Sequence, residues 1–307
     1  MYNVNKTEKI WMDGVLVPWE NATVHVLTHS LHYGSAMFEG ARCYNTEQGS
    51  RIFRLSDHVR RLFNSARIYG MMIPFAPDEI SSGIKATIRE NHVNECYIRP
   101  LAFYGWDEMG VNPKANKVHV AIAVWPWGSY MGDEGLKKGV AAQVSTWARI
   151  DNRSLPTRAK IAGNYANSIL AKMEAQRLGF SEAVLLNADG MVTEGSGENI
   201  FMIDNEEVIT PPLSAGPLPG ITRDSIMEIA QKMGYKVSEK NFTRSDLILA
   251  DEVFFCGTAA EVTPVREIDG RKIGSGVRGP ITEKIQTKFF DIVKGRDPAY
   301  SKWLEPV

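Results

Sequence analysis

The segment from Glu194 to Arg223 contains the groups needed to bind an anionic organic ligand at both ends. Glu194 supplies a carboxylate in a glycine-rich turn, and Gly220-Ile221-Thr222-Arg223 stands at the start of a predicted helix. A glycine that admits close approach and a hydroxyl residue that caps a helix form an anion site from backbone N–H groups. We therefore predict a phosphate site at Ile221 and Thr222, with Glu194 meeting the other end of the ligand.

A lysine, Lys160, precedes this segment in the run Ala159-Lys160-Ile161-Ala162-Gly163-Asn164-Tyr165. Lysine is almost never fully buried, so a surface position is the ordinary interpretation, but small neighbours leave room here for a planar ring. A phosphate cradle, an acid and a lysine together suggest pyridoxal phosphate, whose chemistry uses a lysine Schiff base and an acidic partner for the pyridine nitrogen. To act near neutral pH, the lysine needs a lowered pKa or replacement by an imine.

The spacing of these groups resembles the signature of class IV aminotransferases, the fold-type IV pyridoxal 5′-phosphate enzymes. The matching positions are Glu194, Ser196, Asn199-Ile200-Phe201, Val208, Thr210, Leu218, Gly220-Ile221 and Arg223. The branched-chain amino acid aminotransferases are more similar still, through His32-Tyr33-Gly34, Phe38-Glu39-Gly40-Ala41-Arg42, Tyr97-Ile98-Arg99-Pro100, Gly110-Val111-Asn112-Pro113, Trp127-Gly128-Ser129-Tyr130 and Gly257-Thr258-Ala259-Ala260-Glu261. This resemblance implies reversible transfer of the amino group of leucine, isoleucine or valine to 2-oxoglutarate.

The resemblance also implies a role for each cofactor-binding residue. Lys160 holds the cofactor and shuttles the proton, Glu194 hydrogen-bonds the pyridinium nitrogen, and Tyr165 hydrogen-bonds the phenolate oxygen. The family pattern His-x-x-Arg-Leu selects Arg61 rather than Arg60 as a phosphate ligand. The phosphate cradle implied in this way comprises Arg61, Ile221, Thr222 and Thr258.

On the substrate side, the resemblance implies a pocket that accepts either an aliphatic chain or the second carboxylate of glutamate. Tyr97 and the Thr258-Ala259 backbone are the implied contacts of the α-carboxylate, and Arg99 can receive the distal carboxylate bidentately. Apolar faces come from Phe38, Trp127, Tyr130 and Tyr165. Tyr33, Arg42 and Val111 resemble residues that line the pocket from a partner subunit.

Other activities share this signature. D-amino-acid aminotransferases, (R)-amine transaminases and aminodeoxychorismate lyases are the alternatives within the class, and Phe38, Arg42, Tyr97 and Arg99 together favour the branched-chain type. A non-catalytic cofactor-binding protein is the alternative outside it. Retention of Lys160 with its acid and phosphate partners argues against that alternative.

The spacing of apolar residues, together with turn and cap residues, predicts the helices and strands that position these groups. We predict a hairpin at Asp13-Gly14, a helix capped by Ser56 and ended by Gly70, a second helix opened by Pro77, and later helices over 164–178, 222–233 and 280–293. Further strands are predicted at 96–103, 117–124, 140–145, 182–186, 198–203, 207–210, 252–256 and 262–267. This mixed order fits an α+β fold better than alternating βαβ units.

The length of 307 residues suggests two domains. We expect a small N-terminal α/β domain over 1–124, an inter-domain loop over 125–136 that roofs the ligand site, and a larger cofactor-binding domain over 137–307. By resemblance, the larger domain is β-barrel-like with helices. The family includes dimers and hexamers, so we expect a homodimer at least.

Bulk composition narrows the partners and the compartment. A formal charge of −1 gives no basis for binding nucleic acid or an anionic membrane. The sequence shows no export signal or long apolar run, so no membrane association is expected. Single cysteines at Cys43, Cys96 and Cys256 indicate reduced core thiols and a cytoplasmic protein. The spacing of His25, His29 and His32 suggests zinc, but no carboxylate or thiol completes a ligand set, so we predict no metal.

Overall fold

The computed structural model describes residues 5–128 and 131–307. Its strands are β1 (Lys9–Met12), β2 (Val15–Pro18), β3 (Ala36–Phe38), β4 (Ala41–Thr46), β5 (Gly49–Phe53), β6 (Cys96–Tyr104), β7 (Val118–Trp125), β8 (Val140–Val144), β9 (Glu182–Leu186), β10 (Val192–Gly195), β11 (Asn199–Asp204), β12 (Glu207–Thr210), β13 (Val237–Glu239), β14 (Glu252–Gly257), β15 (Glu261–Ile268), β16 (Arg271–Lys272) and β17 (Leu304–Pro306). Its helices are α1 (His29–Tyr33), α2 (Leu55–Tyr69), α3 (Pro77–Glu90), α4 (Gly132–Lys138), α5 (Tyr165–Arg177), α6 (Ile221–Lys232), α7 (Arg244–Leu249) and α8 (Pro280–Val293).

Two compact units divide the chain. The first comprises Met1–Trp127, Ala159–Asn164 and Ile292–Val307, and the second comprises Gly128–Arg158 and Tyr165–Asp291. This division differs from the contiguous ranges expected from the sequence. Two later segments join the first unit by strand pairing: β17 pairs with β5, and Ile161 forms an isolated bridge with Met37. Such pairings are long-range and leave no local signal in the sequence.

The first unit is built on a sheet with the strand order β17-β5-β4-β6-β7-β1-β2, with β3 also paired to β6. Helix α2 ends at Gly70, whose φ of 81° is left-handed, as predicted from the glycine. Helix α3 begins at Pro77, and the Glu79 side chain accepts a hydrogen bond from the backbone N–H of Ala76. Both helices bury an apolar stripe against one face of the sheet, and this core includes Val59, Leu62, Ala66, Ile80, Ile84, Ile98, Val120 and Ile122.

Strand β6 separates this core from the candidate site. Alternate residues of a strand point to opposite faces, so Ile98 and Ala102 enter the helix-covered core while Tyr97 and Arg99 share the other face. Two of the strands that pair with β6, β3 and β4, bring further side chains to the second face: Phe38 pairs with Leu101 in register, and Arg42 pairs with Tyr97.

The second unit is built on a mixed sheet with the strand order β10-β9-β8-β15-β14-β11-β12-β13, with β16 also paired to β15. An isolated bridge joins Met191, before β10, to Thr243, after β13. This bridge links the two ends of the strand path and supports the barrel-like arrangement implied by the family resemblance. Apolar side chains from the sheet form the core, among them Val144, Val184, Ile200, Ile209, Val253 and Phe255.

Three sequence-based boundaries need correction. Helix α2 begins at Leu55 after Arg54, which has a left-handed φ of 50°, so Ser56 lies inside the helix and is not its cap. Helix α4 occupies part of the segment predicted as a loop over 125–136, and Trp125 belongs to β7.

None of the helices in the described part of the chain is long and apolar enough to cross a membrane.

Candidate active site

Lys160 is fixed by its backbone to the first unit. Its N–H donates to Ser65 Oγ of α2 at 3.0 Å, and its carbonyl accepts from the Phe38 N–H at 3.2 Å. The next residue, Ile161, forms the bridge to Met37. A strand and a helix therefore hold the lysine from two sides.

This attachment depends on a close approach between two glycines. The Gly163 N–H donates to the Gly34 carbonyl at 3.0 Å. A Cβ built on Gly34 lies 2.7 Å from Gly163 Cα, and Gly34 has a left-handed φ of 64°. Gly34 is thus required both for its conformation and for the absence of a side chain.

The Lys160 amine lies in an apolar and electropositive environment. Nζ stands 4.9 Å from the centroid of the Phe38 ring. Burial lowers the pKa of Lys160 to about 8, the Arg61 charge adds to that shift, and Glu39 opposes it. The neutral, nucleophilic fraction of the amine near neutral pH is therefore much larger than that of an ordinary lysine.

Arg61 and Arg60 are adjacent on α2 but have different partners. Arg60 is exposed and pairs with Asp57. Arg61 instead donates to buried Glu39, from Nε to Oε1 at 2.6 Å and from Nη2 to Oε2 at 2.9 Å. His58 Nδ1 lies 2.8 Å from the same Oε2.

The electrostatics of this group follow from its burial. Burial alone would raise the pKa of Glu39, but the charge and hydrogen bonds of Arg61, with help from His58, hold it well below its usual range. Burial lowers the pKa of His58, although Glu39 opposes the shift. The group therefore contains one cation, one anion and a neutral imidazole whose Nδ1–H donates to the carboxylate.

Arg99 stands among aromatic rings on the site face of β6. Its Cζ lies 4.9 Å from the Phe38 ring centroid, 5.4 Å from that of Tyr97 and 5.8 Å from that of Trp125. Its Nε is buried and has no hydrogen-bond partner among the described residues. A buried guanidinium N–H without an acceptor is costly, so the arrangement is suited to an anionic ligand.

The remaining predicted pocket residues differ from one another in exposure and in the residues they contact. Trp127 meets Tyr97 edge-on, with ring centroids 4.6 Å apart. Tyr33 is 47% exposed and Val111 is 86% exposed. Arg42 is buried and paired in register with Tyr97, so it lies beside this chain's own site strand. Tyr130 lies outside the described residues.

In the second unit, Glu194 belongs to strand β10 and not to the turn expected from the sequence. Its Oε2 accepts from the Leu218 N–H at 2.9 Å and from Asn199 Nδ2 at 3.4 Å. Its Oε1 lies 2.8 Å from Nε of buried Arg149. Paired strands hold the carboxylate in one direction, and the hydrogen bonds from Leu218 and Asn199 fix its rotation.

The start of α6 is tied to this carboxylate through Asn199. Asn199 Nδ2 also donates to the Leu218 carbonyl at 2.9 Å, and a Cβ on Gly220 would meet Asn199 Oδ1 at 1.9 Å. Gly220 is the N-cap and has no capping side chain, which corrects the prediction that Thr222 caps the helix. Ile221 and Thr222 occupy the first turn, where backbone N–H groups and the helix dipole favour an anion.

Thr258 and Ala259 lie in the turn between β14 and β15, where both are half-buried. A Cβ added to the preceding residue, Gly257, would lie 3.8 Å from Glu198 Cα. This turn therefore lies against the segment that follows Glu194. Tyr165 is the first residue of α5 and is also half-buried.

These donor sets fit a phosphorylated pyridine aldehyde. The first unit brings together Phe38, Arg61, Tyr97, Arg99 and Lys160, which combine an amine of lowered pKa with two guanidinium groups. The second unit joins a carboxylate acceptor to a helix N-terminus. The sequence analysis assigned no chemical role to Glu39, His58 or Arg149. Glu39 lies within the motif Phe38-Glu39-Gly40-Ala41-Arg42 and His58 begins the pattern His-x-x-Arg-Leu, and these motifs were the available signals.

Comparisons with known proteins agree with this chemistry. The model of the amino-transferase class IV family matches residues 36–268. A branched-chain-amino-acid aminotransferase of Pseudomonas aeruginosa is 51% identical over 294 residues, which cover 96% of this chain and 95% of that protein.

Solved structures agree as well. A branched-chain amino acid aminotransferase from Escherichia coli has a TM-score of 0.96 at 44% identity, covering 98% of this chain and 99% of the other. The T.th. enzyme of that name with pyridoxamine 5′-phosphate has a TM-score of 0.95 at 48% identity, covering 97% and 98%, and it was also solved with N-(5′-phosphopyridoxyl)-L-glutamate. The chain belongs to the class IV aminotransferases.

Proposed function

We propose that this chain is a branched-chain amino acid aminotransferase that uses pyridoxal 5′-phosphate. It transfers the amino group of L-leucine, L-isoleucine or L-valine to 2-oxoglutarate in two alternating half-reactions. The observation that carries this proposal is Arg99, a half-buried residue with a buried Nε whose guanidinium lies among aromatic rings. One of these rings, that of Phe38, also lies 4.9 Å from Lys160 Nζ. Such a site offers an apolar surface to an aliphatic chain and a charge to a second carboxylate.

When bound, the cofactor supplies an electron sink for the bond that breaks at the substrate Cα. In the first unit, we assign Lys160 as the residue that holds the cofactor and moves the proton at that carbon, because its lowered pKa suits a general base. Arg61 binds the phosphate. The cofactor ligands assigned in the second unit are Tyr165, Glu194, Ile221, Thr222 and Thr258.

Glu194 is assigned to accept a hydrogen bond from the N–H group of the pyridine ring. Its fixed rotation on β10 supports this assignment, because an acceptor must be oriented before the ring arrives. Ile221 and Thr222, at the start of α6, bind the phosphate. Tyr165 donates a hydrogen bond to the phenolate oxygen.

The substrate residues are assigned by charge and shape. Tyr97 and the Thr258-Ala259 backbone bind the α-carboxylate, and Arg99 binds the distal carboxylate of glutamate. Phe38, Trp127 and Tyr130 supply apolar contacts. Arg42, in register with Tyr97 on the neighbouring strand, is assigned to the pocket lining together with Tyr33 and Val111.

We further propose that the enzyme is at least a homodimer. Five apolar side chains of the first unit are exposed, and we term them together the apolar patch: Val26, Leu31, Tyr33, Trp106 and Val111. Their segments are joined by contacts of His29 with Gly110, His32 with Val26 and His25 with Trp106. Large exposed apolar residues of this kind are typical of protein interfaces. In such a dimer, Tyr33 and Val111 line the pocket of the partner. The three cysteines are free and buried, which supports the cytoplasm as the compartment.

Arg99→Ala tests the substrate assignment. Loss of one partner of a desolvated charge pair should cost about 2–5 kcal/mol in the half-reaction with glutamate, while the leucine half-reaction changes little. Single-turnover rates of both half-reactions on one preparation provide the internal control, and Arg99→Lys should restore part of the glutamate rate. Equal losses for leucine and glutamate would show that Arg99 is structural.

A further inference from the structure

A buried charged group in the first unit has no assigned part in the reaction beyond Arg61. The Glu39 side chain is 0% exposed, that of His58 is 2% exposed and that of Arg61 is 12% exposed. Burying a carboxylate is costly unless several donors satisfy it. The buried Glu39 carboxylate beside Arg61 therefore needs a functional explanation.

Glu39 and Arg61 form a bidentate ion pair. Glu39 receives Arg61 through two roughly parallel bonds, Nε to Oε1 at 2.6 Å and Nη2 to Oε2 at 2.9 Å. A bidentate pair of this type fixes the plane of the guanidinium as well as its position. Because the guanidinium is rigid, these two bonds also set the directions of its other three N–H groups.

Glu39 itself is held by groups on separate elements. His58 Nδ1 lies 2.8 Å from Oε2, and the Gly40 N–H donates to the same oxygen at 3.2 Å. The Glu39 backbone N–H donates to the Pro100 carbonyl of β6 at 2.9 Å. The carboxylate is therefore a fixed reference on the sheet, and Arg61 is the longer, flexible partner that it orients.

We propose that Glu39 is a positioning residue that orients Arg61 toward the phosphate of the cofactor. This inference rests on the proposed function, because it takes Arg61 to be a phosphate ligand. It assigns Glu39 no contact with substrate or cofactor. His58 assists by fixing the carboxylate through Oε2, the oxygen that does not accept the guanidinium's Nε–H.

Dissociation constants of two ligands for the apoprotein test this role: pyridoxal 5′-phosphate, and pyridoxal, which lacks the phosphate. Glu39→Gln should weaken binding of the phosphorylated ligand by about 10–100-fold, the scale for losing a residue that orients a ligating side chain. Binding of pyridoxal should change little. Glu39→Asp should recover part of the loss, and it serves as the second variant if Glu39→Gln does not fold.

A double-mutant cycle separates positioning from a general structural role. If Glu39 acts through Arg61, Glu39→Gln should cost almost nothing further in an Arg61→Ala background. The matched control is Glu252→Gln, a buried carboxylate of the second unit that accepts the N–H groups of Ile281 and Thr282 at 2.9 and 2.7 Å. That variant should leave the affinity ratio of the two ligands unchanged.

Two outcomes would overturn the inference while leaving the proposed function intact: equal losses for both ligands in Glu39→Gln, or additive losses in the double mutant. A different outcome would contradict the proposed function as well. If Arg61→Ala itself keeps the wild-type preference for the phosphorylated ligand, Arg61 is not a phosphate ligand.

Discussion

At the scale of single residues, the proposed chemistry depends on the protonation of Lys160. Its amine lies against an aromatic ring and near the Arg61 guanidinium, and both burial and that charge favour the neutral form. Only the neutral amine is a nucleophile. The surrounding charges therefore decide how readily the apoprotein captures its cofactor.

The pH dependence of capture follows from this pKa. Because the folded-state pKa is lowered to about 8 from 10.5, the neutral fraction of Lys160 rises as the pH increases through about 8. The rate at which apoprotein takes up pyridoxal 5′-phosphate, followed by absorbance, should rise over the same interval. Arg61→Gln removes a positive charge and should shift this profile to higher pH. A profile of the wild type centred near 10.5 would contradict the environment described for Lys160.

Removing the amine should abolish turnover without unfolding the protein. Lys160→Ala loses both the covalent anchor and the proton carrier, so kcat should fall by orders of magnitude. Lys138→Ala, at an exposed lysine paired with Glu134, is the control and should keep its rate. Circular dichroism should show the same folded content for both variants and the wild type. Near wild-type turnover in Lys160→Ala would refute the mechanism.

At the scale of elements, the lysine segment is positioned by the contact between Gly34 and Gly163. Gly34→Ala places a Cβ 2.7 Å from Gly163 Cα, where only backbone movement can relieve the overlap. Gly49→Ala is the matched control, because Gly49 also has a positive φ, 90°, but has nothing within 4 Å of an added Cβ.

Both substitutions carry the conformational cost of a positive φ, so their difference isolates the steric overlap. Gly34→Ala should destabilise the protein by about 1–3 kcal/mol more than Gly49→Ala, and it should also reduce cofactor affinity. Chemical denaturation and cofactor titration of both variants measure these effects. Equal free energies of unfolding would show that the glycine contact does not position the lysine segment.

The elements also show what the sequence can and cannot predict. The start of α3 and both ends of α6 are predicted to within a residue, because a proline or glycine marks them and the apolar positions repeat. Strands β3, β4 and β5 were not predicted, because short strands are stabilised by distant partners that have no local pattern. The same reason explains Glu194, which was expected in a turn: pairing of β10 with β9 decides its conformation.

Site residues follow a similar division. The family signature led to Lys160, Arg61 and Arg99, and the roles of all three stay predictions. Glu39 and Arg149 were missed because their roles depend on which charge lies opposite them in space, and sequence spacing does not contain that information.

At the scale of the whole molecule, the proposed dimer predicts an effect of charge within the apolar patch. Val111→Glu should weaken self-association, because a carboxylate would be desolvated in the interface. Met72→Glu is the control, since Met72 is 85% exposed, close to the 86% of Val111, and lies outside the patch. Analytical ultracentrifugation over a concentration series should detect monomer only for the first variant. A monomeric wild type, or equal association of both variants, would contradict the dimer and its shared pocket.

The most direct test of the account is a panel of amino donors with the wild-type enzyme. Initial rates with 2-oxoglutarate should be high for L-leucine, L-isoleucine and L-valine and negligible for their D-enantiomers and for (R)-amines. That result is expected because, in the proposed site, Arg99 offers its charge to the second carboxylate of the acceptor, while Phe38 and Trp127 contact an aliphatic chain. Preference for a D-amino acid or an (R)-amine, or the absence of amino transfer from all three L-amino acids, would contradict the branched-chain assignment.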